Sequence, residues 1–133
     1  MQDKLIILHN NSYSPYSNYK VSAIAVMKDG KEFVGVNVEN AAYGASICAE
    51  RSAILSAISN GYKKYDFKEL HVMVSSRSIG TPCFECRQVI SELFEKDCII
   101  YCYSTDGRKE KYTVEELCPY PFGEDDLKWN VVL

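Results

Sequence analysis

Residues 70–103 read LHVMVSSRSIGTPCFECRQVISELFEKDCIIYCY, and this stretch decides the fold. It opens with a short apolar run at 70–75 and closes with another at 98–103, both typical of buried strands. Between them, apolar residues recur at helical spacing from Pro82 to about position 94, and proline is favoured at a first helical position. A strand, a helix and a second strand in succession predict a parallel pair joined by a right-handed crossover.

The rest of the chain alternates between strand and helix patterns that are separated by turn signals. Asp29-Gly30 marks a tight hairpin, and Asn60-Gly61 marks a helix end. Thr113 and Glu116 match a capping box at the start of a short last helix. The predicted elements are helix 3–9, strands 21–27 and 32–36, helix 47–60, strand 70–75, helix 82–94, strand 98–103, a strand after residue 107 and a helix after residue 113.

This order predicts an α/β fold of three layers, with a five-stranded mixed sheet between helices. The inner face of helix 47–60 is expected from four aliphatic residues at helical spacing. They are Ile47, Ile54, Leu55 and Ile58.

Length and composition restrict the classes of function. A chain of 133 residues predicts one domain over 1–133. The net charge of -3 comes from 15 basic and 18 acidic residues without a basic patch, so a nucleic-acid polymer is not the expected partner. No apolar run reaches the roughly 18–20 residues that a membrane span needs, and the N-terminus lacks signal-peptide features. We therefore expect a cytoplasmic protein, in which six cysteines serve as metal ligands or core residues.

Three cysteines stand at predicted helix starts. Cys83 and Cys86 are three positions apart after Pro82, and Cys48 begins helix 47–60. A helix N-terminus carries about half a positive charge and favours the thiolate that binds a metal. Three thiolates suit Zn²⁺, and the open fourth position is typical of a catalytic zinc. Water bound there loses a proton near neutral pH.

Two charged residues follow Cys48 directly on the helix. Glu50 is placed to move protons between such a water and a leaving group, as in zinc deaminases. Arg51 is expected to offset the excess negative charge of three thiolates by donating hydrogen bonds to sulfur.

These motifs, in this order, resemble the tetrameric cytidine deaminase family. The resemblance covers most of the chain from Tyr13 to Gly123. Its motifs are CAERSAI (48–54), PCFECRQVISEL (82–93), PYSNYKV (15–21), NVENAAYG (37–44), TVEELCP (113–119) and PFG (121–123).

The resemblance implies a cytidine deaminase-like fold and a set of site residues. Cys48, Cys83 and Cys86 correspond to the zinc ligands, and Glu50 corresponds to the proton shuttle. Asn37 and Glu39 correspond to the residues that bind the ribose hydroxyls, while Tyr19 and the backbone amide of Ala49 contact the base. Phe122 is expected to reach the pocket of a neighbouring subunit, and Arg51 and Gln88 are expected to support the ligand cysteines.

The implied activity is the zinc-dependent hydrolysis of cytidine and deoxycytidine to uridine and deoxyuridine, with release of ammonia, in pyrimidine salvage. The substrate is then a free pyrimidine nucleoside, and the enzyme a cytoplasmic homotetramer with shared active sites. The chain departs from the family pattern at Phe84, Glu85 and 75–80. A modified cytosine nucleoside of the blasticidin type therefore stays open as an alternative substrate.

Other interpretations of the same residues are less specific. The cysteines form a redox pair or a closed structural zinc site if a fourth ligand joins them. Candidates for that ligand are Cys98, Cys102, Cys118 and His71, although core packing is expected for Cys98 and Cys102. Asn37 and Asn40 are also common turn residues, and Phe122 a common packing residue. His9 and His71 stand in no motif, so no catalytic role is expected for them.

Overall fold

The computed structural model describes residues 1–128, so positions 129–133 of the predicted domain lie outside the described residues. The helices and strands follow the predicted order. They are α1 (Gln2–His9), β1 (Val21–Met27), β2 (Glu32–Val36), α2 (Ala49–Ser59), β3 (Phe67–Val74), α3 (Phe84–Leu93), β4 (Ile99–Ser104), β5 (Lys109–Thr113) and α4 (Val114–Leu117). Short 3-10 turns lie at Tyr43–Ala45 and Glu124–Leu127. Within residues 1–128 no helix combines the length and the apolarity that a membrane crossing requires.

All five strands form one sheet in the order β2-β1-β3-β4-β5. Strands β3 and β4 are parallel, with Leu70 opposite Ile100 and Val72 opposite Cys102, and α3 makes the crossover between them. The other three strand pairs are antiparallel. The predicted α/β fold with a mixed sheet is therefore confirmed.

Helices cover both faces of the sheet. Successive strand residues point to opposite faces, which divides the core in two. On one face, Ala23 and Ala25 of β1 pack with α2 and α3. On the other face, Ile24 of β1 packs with Leu5 of α1 and Met73 of β3. The result is the predicted three-layer arrangement.

The inner face of α2 differs from the prediction. Leu55 and Ile58 are exposed, and Ile47 lies before the helix, bridged to Val38. Small residues fill the contact with the sheet instead. The buried apolar residues of α2 are Ala49, Ala53, Ile54 and Ala57. Ile54 is buried as predicted. Alanine at the other three positions lets the helix axis approach the sheet closely, so side-chain size decides the buried face here.

Gly35 of β2 marks the closest approach between α2 and the sheet. A Cβ at this position would lie 2.5 Å from the carbonyl oxygen of Ala49 and 2.6 Å from the backbone nitrogen of Ala53. Both atoms belong to the helix backbone, which cannot move aside as a flexible side chain can. The absence of a side chain at Gly35 therefore fixes the position of the helix that carries Cys48 and Glu50.

We expect Gly35→Ala to lower the free energy of unfolding by about 2–3 kcal/mol, because the added methyl group overlaps the α2 backbone. Urea denaturation followed by circular dichroism measures the change. Gly123→Ala is the matched control, since nothing lies within 4 Å of a Cβ placed there. Equal stability of the two variants would contradict the close packing at Gly35.

Candidate active site

The three cysteines of the motifs meet where α2 and α3 begin. Cys48 is the N-cap of α2 and Cys83 the N-cap of α3, and both have extended backbones. Cys86 lies in the first turn of α3. Pro82 was predicted to open this helix, and that detail is wrong: the helix begins at Phe84. The extended conformation of Cys83 separates the proline from the first helical residue.

The geometry of the sulfur cluster fits a tetrahedral metal. The Sγ atoms of Cys48 and Cys83 are 3.7 Å apart, and all three sulfur atoms lie within 4.8 Å of one another. Two thiolates bound tetrahedrally to zinc at ~2.3 Å are ~3.8 Å apart. Cys86 is buried, Cys48 is half-buried and Cys83 is exposed, so the cluster opens to one side. Within residues 1–128, no other histidine, cysteine or carboxylate atom lies within 4.8 Å of all three.

The candidates for a fourth ligand lie elsewhere. Cys98 contacts the Phe67 carbonyl, Cys118 contacts the Arg87 carbonyl, and Cys102 is buried in the core. The fourth candidate, His71, makes a 2.7 Å hydrogen bond to the Tyr103 hydroxyl. The structure therefore gives no support to a closed structural site among the described residues. Three sulfur donors with one open side favour a catalytic zinc.

Hydrogen bonds set the charge of the cluster before any metal binds. The Cys86 thiol, together with Arg51 and Cys83, lowers the pKa of Cys48 to about 5. The same contact with Cys48, followed by burial, raises the pKa of Cys86. Arg51 donates from Nη2 to the Cys48 sulfur over 3.3 Å, and this bond raises the pKa of Arg51. These contacts favour a thiolate at Cys48, and binding of zinc by all three sulfurs would require the remaining thiols to release their protons.

Glu50 lies in the first turn of α2 and is only 5% exposed. Burial raises the pKa of Glu50 to about 7, and the neighbouring Cys48 thiolate acts in the same direction. A carboxyl group with a pKa near the working pH both accepts and returns a proton readily. The fold therefore supplies a proton carrier beside the sulfur cluster.

A pocket of about 510 Å³ opens over Glu50 and the exposed side of the cluster. Its volume suits a small ligand. Eight of the predicted site residues line it, namely Tyr19, Asn37, Glu39, Cys48, Ala49, Glu50, Arg51 and Cys83. Tyr43, which lies in a motif loop, and Glu85 also line it, as do Ser46, Val74 and Thr81, which the motifs did not single out.

Hydrogen bonds hold Asn37 and Glu39 at the pocket wall. Glu39 accepts the backbone N–H groups of Tyr16 and Ser17 at 3.0 and 3.1 Å, and also the Ser17 hydroxyl. The Asn37 amide donates to the Tyr19 carbonyl over 2.7 Å and accepts from the backbone of Val21 over 2.9 Å. Asn37 retains one N–H donor and Glu39 retains acceptor capacity.

Two serines that the sequence analysis missed orient these side chains. Ser12 donates to the Asn37 side-chain oxygen, and Ser17 donates to Glu39. Ser17 lies inside the PYSNYKV motif, which marks it as a candidate. Its contact with Glu39, however, joins two distant segments, and the motif alone does not predict it.

Three aromatic or polar residues around α3 lie outside this pocket. Gln88 donates to the Phe122 carbonyl over 2.8 Å, and both residues line a separate groove. Phe84 lines the same groove, is 78% exposed and packs under the Arg87 guanidinium. Phe84 therefore does not narrow the pocket of its own chain.

We expect Cys83→Ser to lose bound zinc, because a serine hydroxyl replaces one of three soft sulfur donors. Metal analysis of the purified protein by plasma mass spectrometry measures the zinc content per chain. Cys98→Ser is the control, since Cys98 lies outside the cluster and contacts the Phe67 carbonyl. Full zinc content in Cys83→Ser would contradict the assignment of Cys83 as a ligand.

Comparison with known proteins agrees with this geometry. Residues 2–102 match the family model of the cytidine and deoxycytidylate deaminase zinc-binding region. The chain is 39% identical over 116 residues to the cytidine deaminase of Halalkalibacterium halodurans, covering 87% of this chain and 86% of that one. It is 37% identical over 118 residues to that of Sporosarcina psychrophila, covering 89% and 85%.

The crystal structure of cytidine deaminase from Burkholderia pseudomallei superposes with a TM-score of 0.86 at 37% identity, covering 90% of this chain and 94% of that one. The sequence match and the fold thus lead to the same conclusion. The chain belongs to the cytidine and deoxycytidylate deaminase family.

Proposed function

We propose that this chain hydrolyses cytidine and deoxycytidine to uridine and deoxyuridine, with release of ammonia, in pyrimidine salvage. One observation carries the proposal: three cysteine sulfurs and a buried glutamate meet at the floor of a pocket of about 510 Å³. The names of the relatives from Halalkalibacterium halodurans and Burkholderia pseudomallei support the choice of cytidine.

Cys48, Cys83 and Cys86 would hold Zn²⁺ in this site. The metal supplies the acidity that makes water a nucleophile near neutral pH. Arg51 donates to the Cys48 sulfur and offsets part of the negative charge of the three ligands.

Glu50 moves the protons of the reaction. It takes a proton from the attacking water and delivers it to N3 of the pyrimidine. It then takes the remaining proton of that water from the hydroxyl now on C4 and delivers it to the amine, which leaves as ammonia. Its burial keeps bulk water from competing for that proton. Ala49 is the first residue of α2, where the backbone N–H has no partner within the helix, so it is free to donate to the pyrimidine carbonyl.

Asn37, Glu39 and Tyr19 bind the remainder of the nucleoside. The spare N–H of Asn37 and the remaining acceptor sites of Glu39 suit the sugar hydroxyls, and the Tyr19 ring forms a wall beside the base. Because Phe84 departs from the family pattern, a modified cytosine nucleoside was an alternative substrate. Because Phe84 lies outside the pocket, we favour the unmodified nucleosides.

We further propose that residues 1–133 act as one catalytic domain of a cytoplasmic homotetramer. Support for one domain comes from the single sheet that both core clusters share. Support for shared pockets comes from the Phe122 ring, which is exposed and whose carbonyl accepts a hydrogen bond from Gln88. None of the six cysteines, all of which lie within residues 1–128, forms a disulfide, which suits a reducing compartment.

Glu50→Gln should lower kcat for cytidine by about 10²–10⁴-fold, because the amide cannot carry the proton. Loss of ultraviolet absorbance and release of ammonia measure turnover, and metal analysis shows whether zinc is retained. Glu115→Gln, at an exposed position of α4, is the charge-matched control. A zinc-loaded Glu50→Gln protein with near-normal turnover would disprove the proton-shuttle role.

Glu39→Ala should lower kcat/KM for cytidine by at least about tenfold, while the value for 2′,3′-dideoxycytidine should fall much less. The reason is that a group that hydrogen-bonds a hydroxyl contributes to binding only when that hydroxyl is present. Steady-state kinetics with both nucleosides measure the two ratios. Equal losses for the two substrates would show that Glu39 only supports the Tyr16–Ser17 backbone.

A further inference from the structure

Glu85 is a charged residue of the pocket that the proposed reaction does not use. It lies in the first turn of α3, between Cys83 and Cys86 in the sequence, and lines the pocket. Its Oε2 atom is 3.3 Å from Nη1 of Arg51. The other terminal nitrogen of Arg51, Nη2, is 3.3 Å from the Cys48 sulfur. The guanidinium therefore connects a carboxylate of α3 to a sulfur of α2.

These two contacts, together with the neighbouring Cys86 sulfur, set the orientation of Arg51. Its side chain is 20% exposed, and its Nε atom is buried without a hydrogen-bond partner. Both contacts are thus made by the outer end of the guanidinium. Arg87, the neighbouring arginine of α3, donates instead to oxygen atoms of Thr81, Pro82 and Leu117. Glu85 consequently has Arg51 as its ion-pair partner within residues 1–128.

The ion pair acts on the charge of the sulfur cluster. A hydrogen-bond donor at a thiolate withdraws negative charge from sulfur and weakens its bond to a metal. Glu85 engages one end of Arg51, so less of the hydrogen-bonding capacity of the guanidinium is available to the sulfur atoms. The carboxylate also adds negative charge beside the ligands. Both effects leave more charge on the thiolates than Arg51 alone would leave.

We propose that Glu85 is a positioning residue that draws part of the Arg51 guanidinium away from the sulfur atoms, limits the charge that Arg51 withdraws from the sulfur cluster and slows the release of zinc. The inference rests on the proposed ligation of zinc by the three cysteines. Because Glu85 is 79% exposed at its side chain, its effect is that of a solvent-screened ion pair, about two- to fivefold in a rate or an equilibrium constant.

The test measures zinc release from the zinc-loaded protein to a colorimetric chelator in excess. Glu85→Gln keeps the size of the side chain and removes its charge, and we expect zinc release about two- to fivefold faster. Glu92→Gln is the matched control, since Glu92 is an exposed carboxylate two turns further along α3. It should release zinc at the parent rate.

A double-mutant cycle separates the action through Arg51 from the direct field of the carboxylate. In an Arg51→Gln background, Glu85→Gln should accelerate zinc release much less, because only the direct field of the carboxylate is then removed. An equal acceleration in both backgrounds, or none in either, would overturn the positioning role. A parent protein that binds no zinc would overturn the proposed zinc site as well, so the two failures are distinguishable.

A spectroscopic measurement keeps the inference testable if Arg51→Gln does not fold. In the cobalt-substituted protein, stronger hydrogen bonding to sulfur lowers the energy of the sulfur lone pairs. Glu85→Gln should therefore move the sulfur-to-cobalt charge-transfer band to higher energy, while Glu92→Gln should leave it in place. An unchanged band in Glu85→Gln would refute the proposed control of Arg51.

Discussion

Two helix N-termini, packed on one face of the sheet, bring three sulfur atoms to within 4.8 Å of one another. Each N-terminus contributes partial positive charge and unpaired backbone N–H groups, which favour negative charge at that point. The positions of these helix N-termini depend in turn on how the helices pack against the sheet. Because Gly35 lacks a side chain and α2 presents alanines, the helix that carries Cys48 and Glu50 lies close against β2. The position of the sulfur cluster thus depends on the size of side chains some distance from it.

The concentration of negative charge in the pocket is the second consequence of this arrangement. A thiolate at Cys48, the carboxyl group of Glu50 and the carboxylate of Glu85 all face the same space, with Arg51 as their common counter-ion. The pKa of Glu50 rises to about 7 because burial and the Cys48 thiolate both disfavour its ionised form. The same crowding of charge that attracts a divalent cation therefore prepares the carboxyl group to exchange protons.

Patterns within single segments predicted much of this structure. The element order followed from alternating apolar runs and from turn signals such as Asp29-Gly30, whose glycine has a positive φ of 91°. The spacing of Cys83 and Cys86 after Pro82 placed both sulfurs near one helix start, although the helix begins one residue after Cys83 and not at the proline. Thr113 and Glu116 form the predicted capping box.

These patterns do not predict contacts between distant segments. Periodicity selected Leu55 and Ile58 for the inner face of α2, because it ranks residues by hydrophobicity and does not register how closely β2 approaches. For the same reason, the contact of Ser17 with Glu39 could not be found from either segment alone.

The pair formed by Arg51 and Glu85 shows how such a contact adds to a familiar motif. Each residue lies next to a ligand cysteine in its own segment, and nothing in either segment indicates the other. Once the two helix starts converge, the guanidinium lies between a sulfur and a carboxylate and must divide its hydrogen bonds between them. The charge on the cluster is then set jointly by α2 and α3. A substitution next to a ligand in one helix therefore changes the electronic environment of a ligand in the other, even though all three cysteines and Glu50 stay in place.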